Sequence, residues 1–419
     1  MAEDFDVVVV GGGPVGACVA ALLARAPQRQ AQSLTVAVLE REPPALPARD
    51  APIDLRVAAF SRASERILEV AGAWPAIAAA RISPYERMRI WHESVPAGAH
   101  GELAFDAAEA GEPNLGYIIE ARLVQAALLD AAGAAGAQIF QSEFASLSMS
   151  GARAHVATSR GTISARLVVG ADGSRSPLRE AAGLHATLSD YAQIAIVAVV
   201  ASERPHARTA WQRFLRDGTL ALLPLADGTS SIVWSADTQR ALALLAAPAE
   251  EFARELECAC DRALGTMRLA SERLSFALQA LSAERYVSER CALVGDAAHV
   301  IHPLAGQGMN LGILDAAALA ELVQGAREAG EDPGALRVLR RYERWRKSET
   351  ALMRIAVDAF DRLLAHGTGA VAQLAQRGLS WVNDSAAVKR FFMARALGLS
   401  GELPRAARAR GSDRPSLHR

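Results

Sequence analysis

Gly11, Gly13 and Gly16 stand at the G-x-G-x-x-G spacing between a valine run, Val7 to Val10, and an Ala/Leu-rich segment. A turn of this kind binds rather than reacts. Its first glycine permits a tight turn, the second lets backbone N–H groups approach a pyrophosphate, and the third lets helix and strand pack closely. The start of the following helix adds partial positive charge facing the phosphates. In "LTVAVLERE" a second apolar strand, Leu34 to Leu39, ends at Glu40. There a strand–helix–strand unit presents a carboxylate to a ribose hydroxyl, the alternative being an ordinary surface carboxylate at a strand end. Turn and acid together support an adenine dinucleotide.

Two more strand-to-turn stretches repeat this logic. "ARLVVGADGSRSPLRE" runs a buried strand, Leu167 to Val169, into Asp172-Gly173, followed by Ser174, Arg175, Ser176 and Arg179. "RCALVGDAAHVIHPLAGQGMNLGILDAAALAELV" runs Cys291 to Val294 into Gly295-Asp296, a glycine-bearing loop and an apolar helix. A carboxylate at a strand's C-terminal end accepts sugar hydroxyls, and amides at the next helix start hold negative charge. Each stretch alone is only a turn; three in this order point to one ligand. His299 and His302 lack the H-E-x-x-H spacing and a third ligand, so they give no metal site. Ser61 and Ser64 lack a hydrolase nucleophile motif, and "SRAS" reads as the start of the helix "ASERILEVAGAW".

These residues need elements to hold them. "VVVVGGGPVGACVAALLARA" is apolar enough for a membrane span, but three glycines and a proline interrupt it, and only "MAEDFD", without a basic residue, precedes it. It reads as a soluble strand, turn and helix, the strand buried on both faces. A chain of 419 residues, 51% hydrophobic, builds two closely connected domains, and a net charge of -1 gives no attraction to nucleic acid. Cys18, Cys258, Cys260 and Cys291 form neither a disulfide framework nor a zinc spacing, which fits a reducing cytoplasm. From Lys389 onward Lys389, Arg390, Arg395, Arg405, Arg408, Arg410, Arg414 and Arg419 face only Glu402 and Asp413. That end is a solvated tail or, alternatively, a contact to the inner face of the membrane or to a biosynthetic partner.

With these motifs the chain resembles the class A flavoprotein aromatic hydroxylases, which share the para-hydroxybenzoate hydroxylase fold, and within them the ubiquinone-biosynthesis hydroxylases. The narrower resemblance rests on "DLRVAAFSRAS", "WQRFLRDGTLALLPLADGTSSIVW", "HPLAGQGMNLG", "RYERWRKSE" and "GLSGELPRAAR", and covers almost the whole chain. Leu314 departs from it, since many relatives carry a charged or small residue there. The resemblance implies that Gly11, Gly13 and Gly16 line the FAD pyrophosphate, that Glu40 holds the adenosine ribose and that Asp296 meets the ribityl or pyrophosphate region. Arg41, Arg56 and Arg122 become further candidates for FAD contact, with a surface ion pair as the alternative for Arg41. Gly306, Gln307, Gly308, Met309 and Asn310 bring backbone N–H groups to the flavin's pyrimidine edge, and His302-Pro303 lies near the ring face. Asp172 and Arg175 take positions that couple FAD and NAD(P)H binding. No second dinucleotide unit is visible, so NAD(P)H docks on the FAD scaffold as co-substrate.

The implied fold class is α/β: a discontinuous Rossmann-like FAD-binding domain over 1–81, 105–183 and 284–330, an inserted β-sheet substrate domain over 82–104 and 184–283, and C-terminal helices over 331–419. The substrate pocket lies between the domains. Trp211, Phe214, Leu222, Leu223 and Trp234 are pocket candidates, at least half of them expected to be plain core. Phe391, Phe392, Met393, Leu397 and Leu399 form a face that meets a membrane or partner or packs on the flavin domain. The implied activity is FAD-dependent hydroxylation of a phenolic, polyprenylated ubiquinone precursor with NAD(P)H and O2. A flavin reductase or dehydrogenase on a polyprenyl substrate and a non-catalytic FAD-bound assembly component stay as alternatives.

Overall fold

The valine run after Phe5, the runs ending at Glu40 and Gly170, and the short run from Cys291 lie side by side in one sheet of this computed structural model. The structure describes residues 3–25, 34–48, 51–98, 102–301, 307–360, 385, 389, 393 and 397–408, with side chains omitted for 307 and 355–360. In chain order the elements that build the site are β1 (Glu3–Val10), α1 (Pro14–Ala24), β2 (Val36–Glu40), β3 (Val57–Ser61), α2 (Arg62–Ala71), β4 (Arg87–His92), β5 (Gly161–Gly170), β6 (Ala186–Ser202), β7 (Thr209–Leu215), β8 (Gly218–Pro224), β9 (Ser230–Asp237), α3 (Ala249–Ala259), β10 (Leu274–Ala283), β11 (Cys291–Leu293), β12 (His299–Val300), α4 (Gln307–Glu328) and α5 (Leu336–Phe360).

The first sheet has the parallel order β11, β5, β1, β2, then Gln138–Gln141. Val8 pairs with Val168 on one side and Ala37 on the other. Val7, Val8, Val9, Leu167, Val168 and Val169 have no exposed surface. Such strands are covered on both faces, which is why they read as unbroken apolar runs instead of alternating ones. α1 and α4 pack together against this sheet. Because these five strands are parallel to one another, although antiparallel strands pair with β5 and with β11 in the same sheet, their C-terminal ends, with the three turns, gather at one edge.

The second sheet has nine strands, ordered β12, β10, β6, β9, β8, β7, β4, then Leu103–Asp106, with Met267–Leu269 beside β6. All its pairs are antiparallel except β7 with β4. Its strands alternate. Ile196, Leu220, Leu222, Ile232 and Trp234 form a core with Phe252 and Leu256 of α3, while Val197, Ala221, Leu223 and Val233 face the opposite way. This sheet takes chain from 87–92, 103–106 and 186–283, and then β12, so the strand Leu103–Asp106 runs across position 105. The α/β class with an added β-sheet and a helix, α5, after Pro333 is thus the observed one.

Near the C-terminus, Met393 and Leu397 are buried with Leu103, Phe105 and Phe214. Lys389 pairs with Glu109 at 2.8 Å and Arg405 with Glu321 at 3.4 Å. Lys389 is buried in its pair while Arg405 makes its pair at the surface, and Arg390, Phe391, Phe392, Arg395, Arg410, Arg414 and Arg419 lie outside the described residues. Cys18, Cys260 and Cys291 are buried, and burial pushes the Cys260 thiol up to about 11, so they act as small apolar side chains.

Trp234 is 1% exposed and meets Phe252 with ring centroids 5.8 Å apart. Trp234→Ala is expected to cost about 3–5 kcal/mol in chemical denaturation, because a large cavity opens in a closed core. A loss under about 1 kcal/mol would show that this layer does not carry the sheet.

Candidate functional site

The glycine turn is shaped by what its missing side chains allow. Gly11 has φ +96, and a Cβ there would lie 2.4 Å from the Ala171 carbonyl oxygen at the end of β5. A Cβ on Gly16 would lie 1.9 Å from the Gly11 carbonyl oxygen. Gly13 differs, since a Cβ there would meet nothing within 4 Å. Gly13 is also the N-cap of α1, which has Pro14 in its first turn and no side-chain cap. Its leading amides therefore face open space with their partial positive charge. Glu40 braces the same turn, with Gly12 N–H donating to its Oε2 at 2.8 Å and Glu42 N–H to its Oε1 at 3.2 Å.

Two hollows meet at Gly13. A trough of about 710 Å³ follows the strand ends past Gly11, Glu40, Arg122 and Asp172. A cavity of about 1040 Å³ continues from it between the two sheets, past Asp296, Gly308 and Met309. Gly13, Arg56 and Ala171 line both. Each hollow is of the size usual for one small molecule, about 300–1,000 Å³, so the pair has room for a dinucleotide and a second ligand. Arg56 and Arg122 are exposed at the trough and make no ion pair among the described residues. Arg41 lines the trough too, but its guanidinium pairs with Glu143 at 2.7 Å on the surface.

The carboxylates divide into those held by the protein and one left open. Asp172 accepts from the Ser176 hydroxyl at 2.5 Å and from Leu178 N–H at 3.0 Å, so it braces the first turn of the short helix Pro177–Ala181, whose N-cap is Ser176. Burial outweighs these bonds and raises its pKa. Arg175 is exposed, whereas Arg179 is buried and donates to the carbonyls of Ser174 and Ala297, tying the Asp-Gly turn to the Gly-Asp turn. Asp296 opens into the cavity and accepts no hydrogen bond among the described residues. The protein packed around it raises its pKa through desolvation, with Asp315 adding to the effect and His299 opposing it.

Beneath Asp296 lies a buried charged chain. His299 Nε2 is 2.6 Å from Asp315 Oδ2, and Arg346 Nε donates to Asp315 Oδ1 at 2.7 Å. Gly295 N–H also donates to Asp315, at 3.1 Å. Burial opposes ionisation of Asp315, but His299 and Arg346 outweigh it and hold its carboxyl below the ordinary range. His299 therefore fixes the loop between the sheets. Asn310 has a comparable duty: its side chain accepts from Ser61 N–H and the Ser64 hydroxyl and donates to the Ala59 carbonyl. Ser61 caps α2, as "SRAS" implies.

Gly308 and Met309, in the first turn of α4, line the large cavity, where the helix's unpaired amides begin. His302, Pro303 and Gly306 lie outside the described residues, as does the side chain of Gln307. Leu314 is 9% exposed in the core and lines neither hollow. Of the aromatic and leucine candidates, Trp211 and Leu223 line the cavity, while Phe214, Leu222 and Trp234 are core. Sequence reasoning missed Asp315 and Arg346. Asp315 is a charge within an apolar helix stretch, the one signal available, and Arg346 looks like any other basic residue of "RYERWRKSE".

The family profile described as FAD binding domain matches residues 4–348. Ubiquinone hydroxylase UbiL of Rhodospirillum rubrum is 38% identical over 411 residues, covering 96% of this chain and 92% of that protein. The 3-demethoxyubiquinol 3-hydroxylase of Escherichia coli is 33% identical over 408 residues, covering 95% and 99%. Among solved structures, the p-nitrophenol 4-monooxygenase PnpA of Pseudomonas putida superposes with TM-score 0.74 at 20% identity, covering 94% of this chain and 98% of that one.

Asp315→Asn is expected to lower stability by about 3–5 kcal/mol, because the buried Arg346 loses its counter-charge and His299 its carboxylate partner. The depressed pKa sets the sign of the pH effect. The ionised form is favoured by folding, so its contribution is full above the unfolded value of about 3.9 and fades as acid protonates the folded group. Urea titrations from neutral to acid pH should show a flatter profile in Asp315→Asn than in the wild type; parallel profiles would contradict this.

Proposed function

Because this chain belongs to the class A flavoprotein aromatic hydroxylases, on the branch of the ubiquinone-biosynthesis hydroxylases, we propose that it hydroxylates the phenolic ring of a polyprenylated ubiquinone precursor with NAD(P)H and O2. Its cofactor is FAD. One observation carries the reading: a trough along the strand ends and an apolar cavity large enough for a second molecule share the lining residues Gly13, Arg56 and Ala171.

The residues fit the cofactor. Gly13 leaves open room before the uncapped start of α1, and Arg56 and Arg122, without an ion pair among the described residues, line the trough beside it. We assign the pyrophosphate to this region, with Gly11 and Gly16 shaping it. Glu40 takes the adenosine ribose, sharing its carboxylate with the Gly12 amide. Asp296 takes ribityl or pyrophosphate-side groups through its open oxygens. The leading amides of α4, at Gly308, Met309 and Asn310, favour negative charge on the ring edge beside them. Pro303 and Gly306 keep the ring-side roles that the resemblance gives them. Asp172 acts through the Asp-Gly turn it braces, and Arg175, exposed beside that turn, serves NAD(P)H docking. Arg41 contributes to the trough's field only if it leaves Glu143.

When bound, FAD supplies the electron transfer and oxygen chemistry that no side chain here provides. The chain's own part is to bind, orient and exclude water. Met88, Ile90, Phe105, Val197, Val233 and Leu223 give the cavity an apolar lining that favours an uncharged ring over bulk water. Leu274 and Phe276, 39% and 50% exposed, line the same cavity and mark its mouth. An apolar mouth suits a hydrocarbon tail, and it offers the inner membrane surface a better contact than the C-terminal segment, whose Lys389, Met393 and Leu397 are engaged inward.

With FAD-loaded enzyme, NAD(P)H oxidation should rise on adding a prenylated phenol, and mass spectrometry should find one oxygen atom from labelled O2 in the product. Turnover with unlabelled product would assign the reductase alternative, and FAD binding without turnover the assembly component. Asp296→Asn should weaken FAD binding by about tenfold. Its raised pKa gives the opposite sign from Asp315: ionisation opposes folding, so the wild type gains from this group on acidification and the FAD-free variant at neutral pH should be no less stable. Unchanged FAD affinity would remove Asp296 from the site.

A further inference from the structure

The floor of the large cavity is one rung of the second sheet, read strand by strand. Ile90 pairs with Gln212, Gln212 with Ala221, Ala221 with Val233, Val233 with Val197 and Val197 with Leu274. All six residues line the cavity. The rung crosses five strand spacings of about 4.8 Å, roughly 24 Å in all. The Gln212 end is covered, since Gln212 is 4% exposed and the half-buried Ile90 beside it pairs on to Leu103, 3% exposed, whereas the other end is open, since Leu274 is 39% exposed.

Gln212 is the one polar member of this rung. Its Oε1 is buried and has no hydrogen-bond partner among the described residues. A buried carboxamide oxygen without a partner is destabilising, and apolar neighbours on both sides cannot relieve it. Leu or Met would fit the strand's alternation better. The side chain is thus poorly explained by packing and well explained by a ligand. Ser231, on the next rung, also has an unpartnered oxygen, but it is wholly covered.

We propose that Gln212 is the polar contact that receives the substrate's phenolic oxygen, and that the ring therefore sits at the covered end with its hydrocarbon tail running across Ala221, Val233 and Val197 to leave at Leu274. This rests on the reading that the cavity takes a phenol. A carboxamide can accept from a phenol O–H or donate to its oxygen, and being neutral it does so without drawing a charged carboxylated ring into the apolar floor. Because a site built to bond an oxygen penalises the analogue that lacks it, Gln212 sets the head group and the rung sets the direction of the tail.

The test is an equilibrium titration of FAD-loaded enzyme without NAD(P)H, followed by flavin absorbance. The probes are 2-prenylphenol, its oxygen-free analogue prenylbenzene, and 2-geranylgeranylphenol. Wild type should bind 2-prenylphenol about tenfold more tightly than prenylbenzene. In Gln212→Leu the ratio should fall to about one through loss of phenol affinity alone, with a melting temperature no lower than wild type. Gln212→Met gives the same comparison with a more adaptable side chain. Leu274→Gln should leave the phenol-to-benzene ratio intact and shrink the gain from the longer tail. A ratio that stays near ten in both Gln212 variants, or a wild-type ratio near one, overturns the assignment while leaving the hydroxylase reading in place. A tail effect unchanged in Leu274→Gln overturns the orientation. If wild type binds no probe, the cavity is not a phenol site and the assignment falls with that reading.

Discussion

Gly16 lies so close to Gly11 that a Cβ would sit 1.9 Å from the Gly11 carbonyl oxygen, and a Cβ on Gly11 would in turn sit 2.4 Å from the Ala171 carbonyl oxygen. A second set of contacts joins α1 to the far end of the chain: a Cβ on Gly312 would lie 2.6 Å from Val15 and 3.3 Å from the Gly295 Cα. Through these approaches β1, β5, β11, α1 and α4 share one edge although they are distant in sequence. The trough exists because backbone meets backbone there. Any side chain on Gly11 or Gly16 would have to displace main chain, which cannot yield as the end of a flexible side chain can. The same approach leaves Gly13 alone facing open space, so crowding on two sides produces the vacancy on the third.

Charge placement follows from that geometry. Five strand ends and helix starts brought together concentrate dipoles and carboxylates, and each carboxylate needs a partner or access to solvent. Glu40 and Asp172 bond to amides of the turns they support. Asp315, fully enclosed, takes His299, Arg346 and the Gly295 amide together. Asp296 alone keeps its oxygens toward the cavity. The deep group stabilises the Gly-Asp loop so that the shallow one stays at the cavity, and their pKa directions differ for this reason. A rigid support under an unpartnered group is what keeps a binding site from collapsing onto its own polar atoms.

The parts legible in the sequence were those whose signal is local. Val7 to Val10 followed by Gly11, Gly13 and Gly16 lies within one turn of chain, and so do "ADGSRSPLR" and "GDAAH". "SRAS" gave its helix start because a cap acts over three residues. What stayed hidden was pairwise and distant. Nothing near Arg41 announces Glu143, and nothing near His299 announces Arg346, because those partners arrive only when β11, α4 and α5 pack. Asn310 was legible as part of a loop motif, but its side-chain bonds to Ala59, Ser61 and Ser64 depend on β3 and α2 lying under α4. The apolar stripe misled for a different reason. Leu222 and Leu223 are equally apolar, and only strand phase, fixed by register, decides that the first packs in the core against α3 and the second lines the cavity.

That phase is what makes the second sheet a wall for a ligand. Its back is sealed by α3, with Phe252 and Leu256 against Ile196, Leu220, Ile232 and Trp234, and Arg213 donating to the carbonyls of Cys258 and Ala259. A sheet sealed on one side has no need of apolar residues on the other for its own stability. The cavity face nevertheless carries Val197, Ala221, Leu223 and Val233. A half-buried cavity face of that composition is unfavourable against water and is better covered by something apolar. The rung carries its one polar side chain, Gln212, near the covered end and its apolar Leu274 at the open mouth, with only apolar residues between them.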